Sequence, residues 1–229
     1  MNRCSRRFRT LALFPLALLT LAAGGCGNVF KPKHKLLVDS ITAPGAEKPS
    51  GRSYRLIAKK SVVAQTQMQI PVVKACVDAA LVGVGMYEAP PAVAPDFFIE
   101  VGFGVETAGR TEPSSRETYV QWSARENPGH SLDRPTGAEV WDVRVAVLGI
   151  AGRVETAMPL LCSVAAGYMA SDTRMETKVE VPQDDPRIAA VRQAAILILE
   201  ANAPRKAPAS EGTSAGNKPA PSPIPSPAK

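Results

Sequence analysis

The sequence has very little histidine and none of the common spacings of metal-binding or phosphate-binding residues. Only His34 and His130 occur among its 229 residues, and neither a CxxC nor an HxxxH spacing is present. Close glycines occur in "GVGMYE" and "VGFGVE", but the Lys-Ser/Thr ending of a phosphate-binding loop is missing. A hydrolase also needs a nucleophile with a base within reach, and the sequence shows no such set. We therefore predict a protein that is not an enzyme and that uses no metal and no cofactor.

The central part of the chain also lacks the excess of basic residues that a nucleic-acid-binding domain needs. The whole sequence has a net charge of +6, but this excess comes from the two ends of the chain. Residues 35–202 carry 17 basic and 20 acidic side chains. A basic patch is the electrostatic signature of nucleic-acid binding. We therefore expect no nucleic-acid partner.

A continuous apolar run of membrane-spanning length is missing, but a shorter run lies near the N-terminus. Four arginines and no acidic residue precede residue 10, and residues 11–23 are almost entirely apolar. A transmembrane helix needs about 20 apolar residues, so this run is too short for one. A positive segment followed by a short apolar run is typical of a secretory signal peptide. We assign residues 1–25 to such a peptide.

Small residues stand directly before a cysteine at the end of this segment, in the order Ala23, Gly24, Gly25 and Cys26. The pattern resembles the bacterial lipobox, in which the cysteine thiol receives a diacylglycerol and becomes the first residue of the mature chain. We predict lipidation at Cys26 and anchoring to a membrane through the attached lipid. The alternative is ordinary secretory cleavage near Gly25, which leaves a soluble protein. Gly27 replaces the aspartate of inner-membrane retention signals, so the resemblance implies the outer membrane.

The mature chain divides into three parts by composition. Residues 26–33 form a short basic tether, which either attracts anionic headgroups or is simply solvated. Residues 34–202 have the patterning of one globular domain. Residues 203–229 are rich in proline and small polar residues, and we predict a disordered tail there.

Two cysteines remain in the predicted globular domain, Cys76 and Cys162. An exported protein folds in an oxidising compartment, so the two are a candidate disulfide. Both lie on apolar faces that we expect to pack together. The alternative is a pair of separate buried thiols, because free cysteine behaves as a small core residue.

The hydrophobic patterning predicts an α+β domain. We expect an antiparallel sheet of five to six strands, with one face exposed to solvent and two helices packed on the other face. The helices are predicted from about Ile70 to Val84 and from Asp184 to Asn202, where Asp185 caps the helix and Pro186 occupies its first turn. The predicted strands cover residues 34–42, 51–58, 95–107, 117–124, 139–151 and 159–171.

This layout resembles a family of bacterial outer-membrane lipoproteins of unknown function. In that family a lipobox precedes a short "VD" strand, a Tyr-containing strand, a helix and an "ADLLV"-like strand. The matching pieces here are Leu37-Val38-Asp39, Ser53-Tyr54 and Ala94-Pro95-Asp96-Phe97-Phe98-Ile99, within residues 34–202. The resemblance implies a fold and a location in the cell envelope, and it implies no catalytic residues.

Three aromatic residues are candidates for a ligand groove: Phe98, Trp122 and Trp141. Phe98 faces away from the apolar stripe of its strand, which is the strongest indication of such a groove. The alternative for the tryptophans is core packing. We therefore expect a noncatalytic, lipid-anchored envelope protein that faces the periplasm and contacts envelope proteins or cell wall. The alternative is a periplasmic binding module for a small apolar or lipid ligand. The sequence does not specify the oligomeric state.

Overall fold

The computed structural model describes residues 32–59, 70–107, 116–148 and 154–203 of the chain. These residues form seven strands and three helices, and the predicted α+β class is confirmed. In chain order the elements are β1 (Lys33–Thr42), β2 (Ser53–Ala58), α1 (Pro71–Gly83), β3 (Tyr87–Glu88), β4 (Phe97–Thr107), β5 (Arg116–Glu126), β6 (Glu139–Leu148), α2 (Val154–Tyr168), β7 (Thr177–Pro182) and α3 (Pro186–Asn202).

One mixed sheet contains all seven strands, in the order β3-β2-β4-β5-β6-β1-β7. The pairs from β4 to β7 are antiparallel, whereas β2 is parallel to both β3 and β4. The sequence predicted a purely antiparallel sheet. The parallel pairs arise because α1 follows β2 and returns the chain to the end of the sheet where β2 began, as in a βαβ unit.

The core lies between one face of the sheet and the three helices. Alternate strand residues point into it, among them Val38, Ile99, Trp122 and Val143, and every one of these is fully buried. The period-2 spacing of these side chains matches the pleat of the strands. The predicted placement of the helices on a single face of the sheet therefore agrees with the structure.

The opposite face of the sheet, which we call the outer face, carries polar side chains that pair across strands. Gln121 accepts a hydrogen bond from Lys59 at 2.8 Å and donates to Asp142 at 3.0 Å. The guanidinium of Arg144 lies 4.2 Å from the ring centroid of Tyr119. Gly104 lies opposite Tyr119 in the strand register, and a Cβ there would make an ordinary contact with the ring at 3.5 Å. The polar side chains of the outer face are therefore accessible to solvent and also contact one another across the strands.

The two helix starts that the sequence predicted are present. Pro71 occupies the first turn of α1, where its missing N–H has no intrahelical partner to lose. Asp185 caps α3 by accepting a hydrogen bond from the backbone N–H of Arg187 at 2.8 Å.

The strand predicted over residues 159–171 is wrong, because residues 159–168 belong to α2 and the last three follow it. The helix packs Met158, Leu161, Cys162 and Ala165 into the core. A short apolar run does not distinguish a buried strand from a buried helix by periodicity, and Pro159 argued against a helix. The short strands β3 and β7 were not predicted. These two strands and α2 explain why the structure has more strands and more helices than the sequence predicted.

The predicted signal peptide, the lipidation site at Cys26 and almost all of the predicted tail lie outside the described residues. The predicted tether reaches residue 33, but Lys33 is already the first residue of β1. The carbonyl of Pro32 also accepts a hydrogen bond from the backbone N–H of Gln183. Within the described ranges, every helix is too short or too polar to cross a bilayer.

Candidate functional site

An open cavity lies at the end of the sheet where β2 and β4 begin. It has a volume of about 630 Å³. Its lining combines charged, proline and aliphatic side chains: Arg55, Glu88, Ala89, Pro90, Pro91, Leu132 and Asp133. The same end contains the beginning of β6, whereas β1 begins at the opposite end.

Arg55 joins the two loops that border this cavity. Its guanidinium donates to the carbonyl oxygen of Leu132 in one loop and to the carbonyls of Pro90 and Val93, both at 2.9 Å, in the other. All of these acceptors are neutral, and no carboxylate among the described residues forms an ion pair with Arg55. The side chain therefore fixes the shape of the cavity and keeps a positive charge in its wall.

A polar network runs from the cavity into the core. Glu88 in the cavity wall accepts from the ammonium of Lys74 at 3.1 Å. Lys74 also donates to Asp78 at 2.6 Å, one turn further along α1. Asp78 in turn accepts from the hydroxyl of Tyr54 at 3.0 Å. Both Tyr54 and Asp78 are buried, so the network joins α1 to β2 inside the domain.

The pKa values in this network follow from burial and pairing. Burial raises the pKa of Asp78, and the hydrogen bond and charge of Lys74 only partly oppose this. Burial and the nearby Asp78 raise the pKa of Tyr54, so the phenol stays protonated. Burial opposes the charge of Lys74, but Asp78 and Glu88 outweigh it and raise the pKa of the ammonium. Pairing has the larger effect on the pKa of Lys74, because this side chain is half exposed. Burial has the larger effect on the pKa of Asp78.

A second polar cluster holds the beginnings of β2 and β4 together. Asp96 accepts from the backbone N–H of Ser53 at 2.8 Å and from its hydroxyl at 2.7 Å. The Ser53 hydroxyl oxygen accepts from the backbone N–H of Asp96 at 2.9 Å. Although partial burial acts to raise it, the pKa of Asp96 is held below its usual value by Ser53 and by Arg52. These two residues belong to the quoted family motifs, and their contacts are structural.

Neither histidine forms a catalytic constellation within the described residues. His34 lies in β1. His130 lies in the loop between β5 and β6, where its backbone has a positive φ of 48° and its N–H donates to the carbonyl of Asn127. Its ring makes no hydrogen bond to a serine or a carboxylate in the described part of the chain.

The structure does not bring the three predicted groove residues together. Trp122 and Trp141 are buried in the core beneath the helices. Phe98 points to the outer face, beside Arg55 in the strand register, and is fully buried there. The proposed groove of Phe98, Trp122 and Trp141 is therefore wrong. Phe98 was correctly read as facing away from its strand's apolar stripe, but burial makes it a packing residue.

Cys76 and Cys162 are both free and buried, so the candidate disulfide is not formed in this structure. Cys76 lines a cavity of about 270 Å³ between the helices. Burial raises the pKa of the Cys76 thiol to about 11 and also raises the pKa of the Cys162 thiol well above its usual value. Each thiol therefore stays protonated, unreactive and apolar at neutral pH.

A separate apolar cavity of about 350 Å³ lies where the three helices meet. Small residues leave this space open: Ala79, Ala80 and Gly83 of α1, Ala166 and Gly167 of α2, and Ala190 and Ala194 of α3. A Cβ placed on Gly83 would have no atom within 4 Å. The cavity therefore has room for an added side chain or an apolar ligand.

Sequence reasoning missed the network of Tyr54, Lys74, Asp78 and Glu88. One signal for it was present in "KACVDAALVG", where an acidic residue stands among apolar neighbours of a helix that is buried nearly all round. A buried carboxylate needs partners. Lys74, four residues earlier, is one of these. Tyr54 and Glu88 come from other elements, and no local pattern identifies them.

The sequence matches no protein-family model and no curated protein. Among solved structures it is similar to a PDZ domain protein from Parabacteroides distasonis, with 11% identity, a TM-score of 0.43 and coverage of 73% of this chain and 42% of that chain. It is also similar to the PelC dodecamer from Paraburkholderia phytofirmans, with 11% identity, a TM-score of 0.38 and coverage of 60% of this chain and 99% of that chain. With TM-scores below 0.5, these similarities carry no functional information.

Proposed function

We propose that this protein is a noncatalytic, lipid-anchored module of the bacterial cell envelope, acylated at Cys26. The observation that carries the proposal is a signal-type segment that ends in small residues and a cysteine. The folded domain begins soon after it, since β1 starts at Lys33. By the resemblance described above, the outer membrane facing the periplasm is the expected location.

The short connection limits the distance between the anchored domain and the membrane. The eight residues from Cys26 to Lys33 span at most about 25 Å when fully extended. This holds the beginning of β1 and the end of β6 close to the bilayer. The 630 Å³ cavity lies at the opposite end of the sheet. In the proposed anchored arrangement this end faces away from the membrane. That end is therefore the one available to envelope proteins or cell wall.

The state of the polar groups supports a noncatalytic role. The buried carboxylate of Asp78 is occupied by Tyr54 and Lys74. The phenol of Tyr54 is a poor nucleophile, since its pKa is raised. Asp96 is engaged by Ser53 in the same structural manner. These groups stabilise the fold, and none is placed as an activated nucleophile or base.

The anchor is tested by Cys26→Ser in the full-length chain, expressed in a diderm bacterium. We expect the wild-type protein to incorporate labelled palmitate and to enter the detergent phase on phase partitioning. The variant should lose the label, because the thiol is the acyl acceptor. Cys76→Ser is the matched control and should keep both properties. A wild-type protein with no label that stays in the aqueous phase contradicts the proposal and favours simple secretion.

The cavity between the helices favours a second candidate function, the binding of a small apolar ligand such as a fatty acid. Gly83→Leu should fill this space, because a Cβ at Gly83 meets no other atom within 4 Å. We expect the substitution to weaken the binding of a fluorescent fatty acid at least tenfold while leaving the thermal midpoint nearly unchanged. Lack of saturable binding to the wild-type protein contradicts this second function.

A further inference from the structure

One face of α3 carries large apolar side chains that no described residue covers. The buried face of this helix is formed by Ile188, Val191 and Ala195. On the opposite side Leu197 is 60% exposed, and Ile196, at the edge of the interhelical cavity beside Cys76, is 49% exposed. A helix that is apolar on both sides is usually buried on both sides. The exposed side of α3 therefore has the character of an interface.

We define the free face of α3 by the exposed residues that recur at helical spacing: Ala189, Ala190, Gln193, Ile196, Leu197 and Glu200. The spacing of three and four residues places them on one side of the helix. The small alanines allow another backbone to approach, and the two large side chains stand near the middle. The exposed Val82 of α1 extends the apolar surface beside Ala190 and Ala194.

The charges along this helix run against its dipole. Glu200 lies in the last turn, which contains no basic residue. A carboxylate there faces the negative end of the helix and is unfavourable by about 0.3–1 kcal/mol. Arg192 is exposed on the flank of the free face, where it also borders the interhelical cavity beside Cys76. Neither residue forms an ion pair within the described parts of the chain. Each therefore has a charge available to a partner.

We propose that a second copy of this chain occupies the free face, with the two α3 helices antiparallel about a two-fold axis between Ile196 and Leu197. In this register Ile196 packs against the partner's Leu197. Arg192 and Gln193 then lie beside the partner's Glu200, and the two-fold axis repeats the contact. The face is complementary to itself only in this direction, because its basic residue precedes and its acidic residue follows the apolar centre.

In the two-fold dimer Arg192 and Glu200 of each helix both have a partner of opposite charge or a polar partner. This favours a second copy of the chain over an unrelated partner. Closed two-fold symmetry uses the same patch on both subunits. A contact of one helix face is small, so the dimer is expected to be weak and concentration-dependent. This inference does not rest on the lipid anchor, although two chains anchored in one membrane would meet at a higher effective concentration.

The self-association is tested on the full-length chain in mild detergent micelles by sedimentation velocity over a range of concentrations. We expect a monomer–dimer equilibrium in which Arg192→Glu and Glu200→Arg each weaken association about tenfold, because each places like charges together. Both changes in one chain should restore association to within about threefold. Leu197→Glu should abolish the dimer. The matched control Ile41→Glu, at a residue 61% exposed on the outer face of the sheet, should leave it unchanged.

Oxidative cross-linking provides a second measurement that detects a weak dimer. Ile196→Cys lies next to the proposed two-fold axis and should form an intermolecular disulfide, whereas Ile41→Cys should not. The unsubstituted chain gives the background from its own cysteines. Absence of a cross-link at Ile196→Cys, together with a monomer at every concentration up to about 0.5 mM, overturns the proposal.

Four other results overturn it by identifying a different occupant or a different surface. If Leu197→Glu reduces binding to phosphatidylglycerol vesicles and no dimer forms, the free face contacts lipid. If removal of residues 204–229 creates a dimer that the full chain lacks, the tail covers the face. If the dimer persists in Leu197→Glu, or if the double charge reversal fails to restore it, the interface lies elsewhere.

Discussion

Replacing Trp122 by alanine should reduce the free energy of unfolding by about 3–5 kcal/mol. Trp122 lies on β5, the middle strand of the seven, and is completely buried. Its neighbours across the sheet are Val101 on β4 and Val143 on β6, and α2 packs on the same strand. Removal of the indole leaves a cavity that the packed side chains of β4, β6 and α2 cannot fill. Urea denaturation followed by far-UV circular dichroism measures the effect.

Trp122→Phe provides the contrast. The indole Nε1 of Trp122 is buried with no hydrogen-bond partner among the described residues. Phenylalanine removes that unsatisfied donor while retaining most of the ring, so we expect a loss well below that of alanine. Because a domain of this size has a total stability of about 5–15 kcal/mol, the phenylalanine variant remains measurable if the alanine variant is unfolded. An alanine variant as stable as the wild type would contradict this prediction, because it would show that the indole does not contribute to the packing of the core.

Replacing Lys74 by methionine should destabilise the protein by about 2 kcal/mol at pH 8 and by less at pH 4. The substitution leaves Asp78 buried without its cationic partner, which costs about 3–5 kcal/mol for a fully buried pair. We reduce that figure because Lys74 is half exposed to solvent. Chemical denaturation at the two pH values gives the comparison with the wild type.

The sign of this pH dependence follows from the carboxyl group. Burial already raises the pKa of Asp78, and loss of Lys74 removes the largest opposing effect. A carboxyl group with a raised folded-state pKa favours the folded state when protonated, and this advantage is lost as the pH rises through that pKa. The deficit of the variant is therefore small near pH 4 and complete above the raised pKa.

Two controls distinguish this mechanism from general surface damage. Lys178→Met removes an exposed lysine that has no ion pair among the described residues, and it should have no pH-dependent effect. Asp78→Asn combined with Lys74→Met removes the buried charge and should abolish the difference between pH 4 and pH 8. A deficit that is equal at both pH values in Lys74→Met would show that the carboxyl group of Asp78 is not responsible.

Much of the fold could be predicted because apolar residues alternate along the central strands. β5 buries every second side chain and β6 does so over most of its length, and their patterns in the sequence match this. Asp185 and Pro186 indicated the start of α3, because capping is a local property. The α+β class followed from the order of these elements. In each case the information lies within about ten neighbouring residues.

The rest of the fold depended on contacts between distant segments. The segment of α2 is buried on most sides, so its apolar run contains no period that separates helix from strand. The edge strand β7 is recognisable only through its pairing with β1. The parallel direction of β2 depends on where α1 returns the chain. Local patterns contain none of these three facts.

For the candidate site, too, the sequence indicated local features but not contacts between distant segments. The sequence indicated that Phe98 faces away from its strand's apolar stripe, but it could not show that Trp122 and Trp141 lie on the other face of the sheet. It placed Cys76 and Cys162 on apolar faces but could not set their separation. The network of Tyr54 and Asp78 joins two elements whose register is fixed only by tertiary packing.

Because β1 pairs with β6 and β7, the sheet can be completed only after both of those later strands are available. Leu36 pairs with Val147 on one side and with Val179 on the other, whereas the neighbouring strands β4 and β5 pair as a local hairpin. Contacts between such distant residues form slowly, because a long loop must close first. A ribosome or an export channel releases β1 first, so its apolar residues stay unpaired until β6 and β7 follow. This strand is thus the segment that a holding chaperone would need to protect.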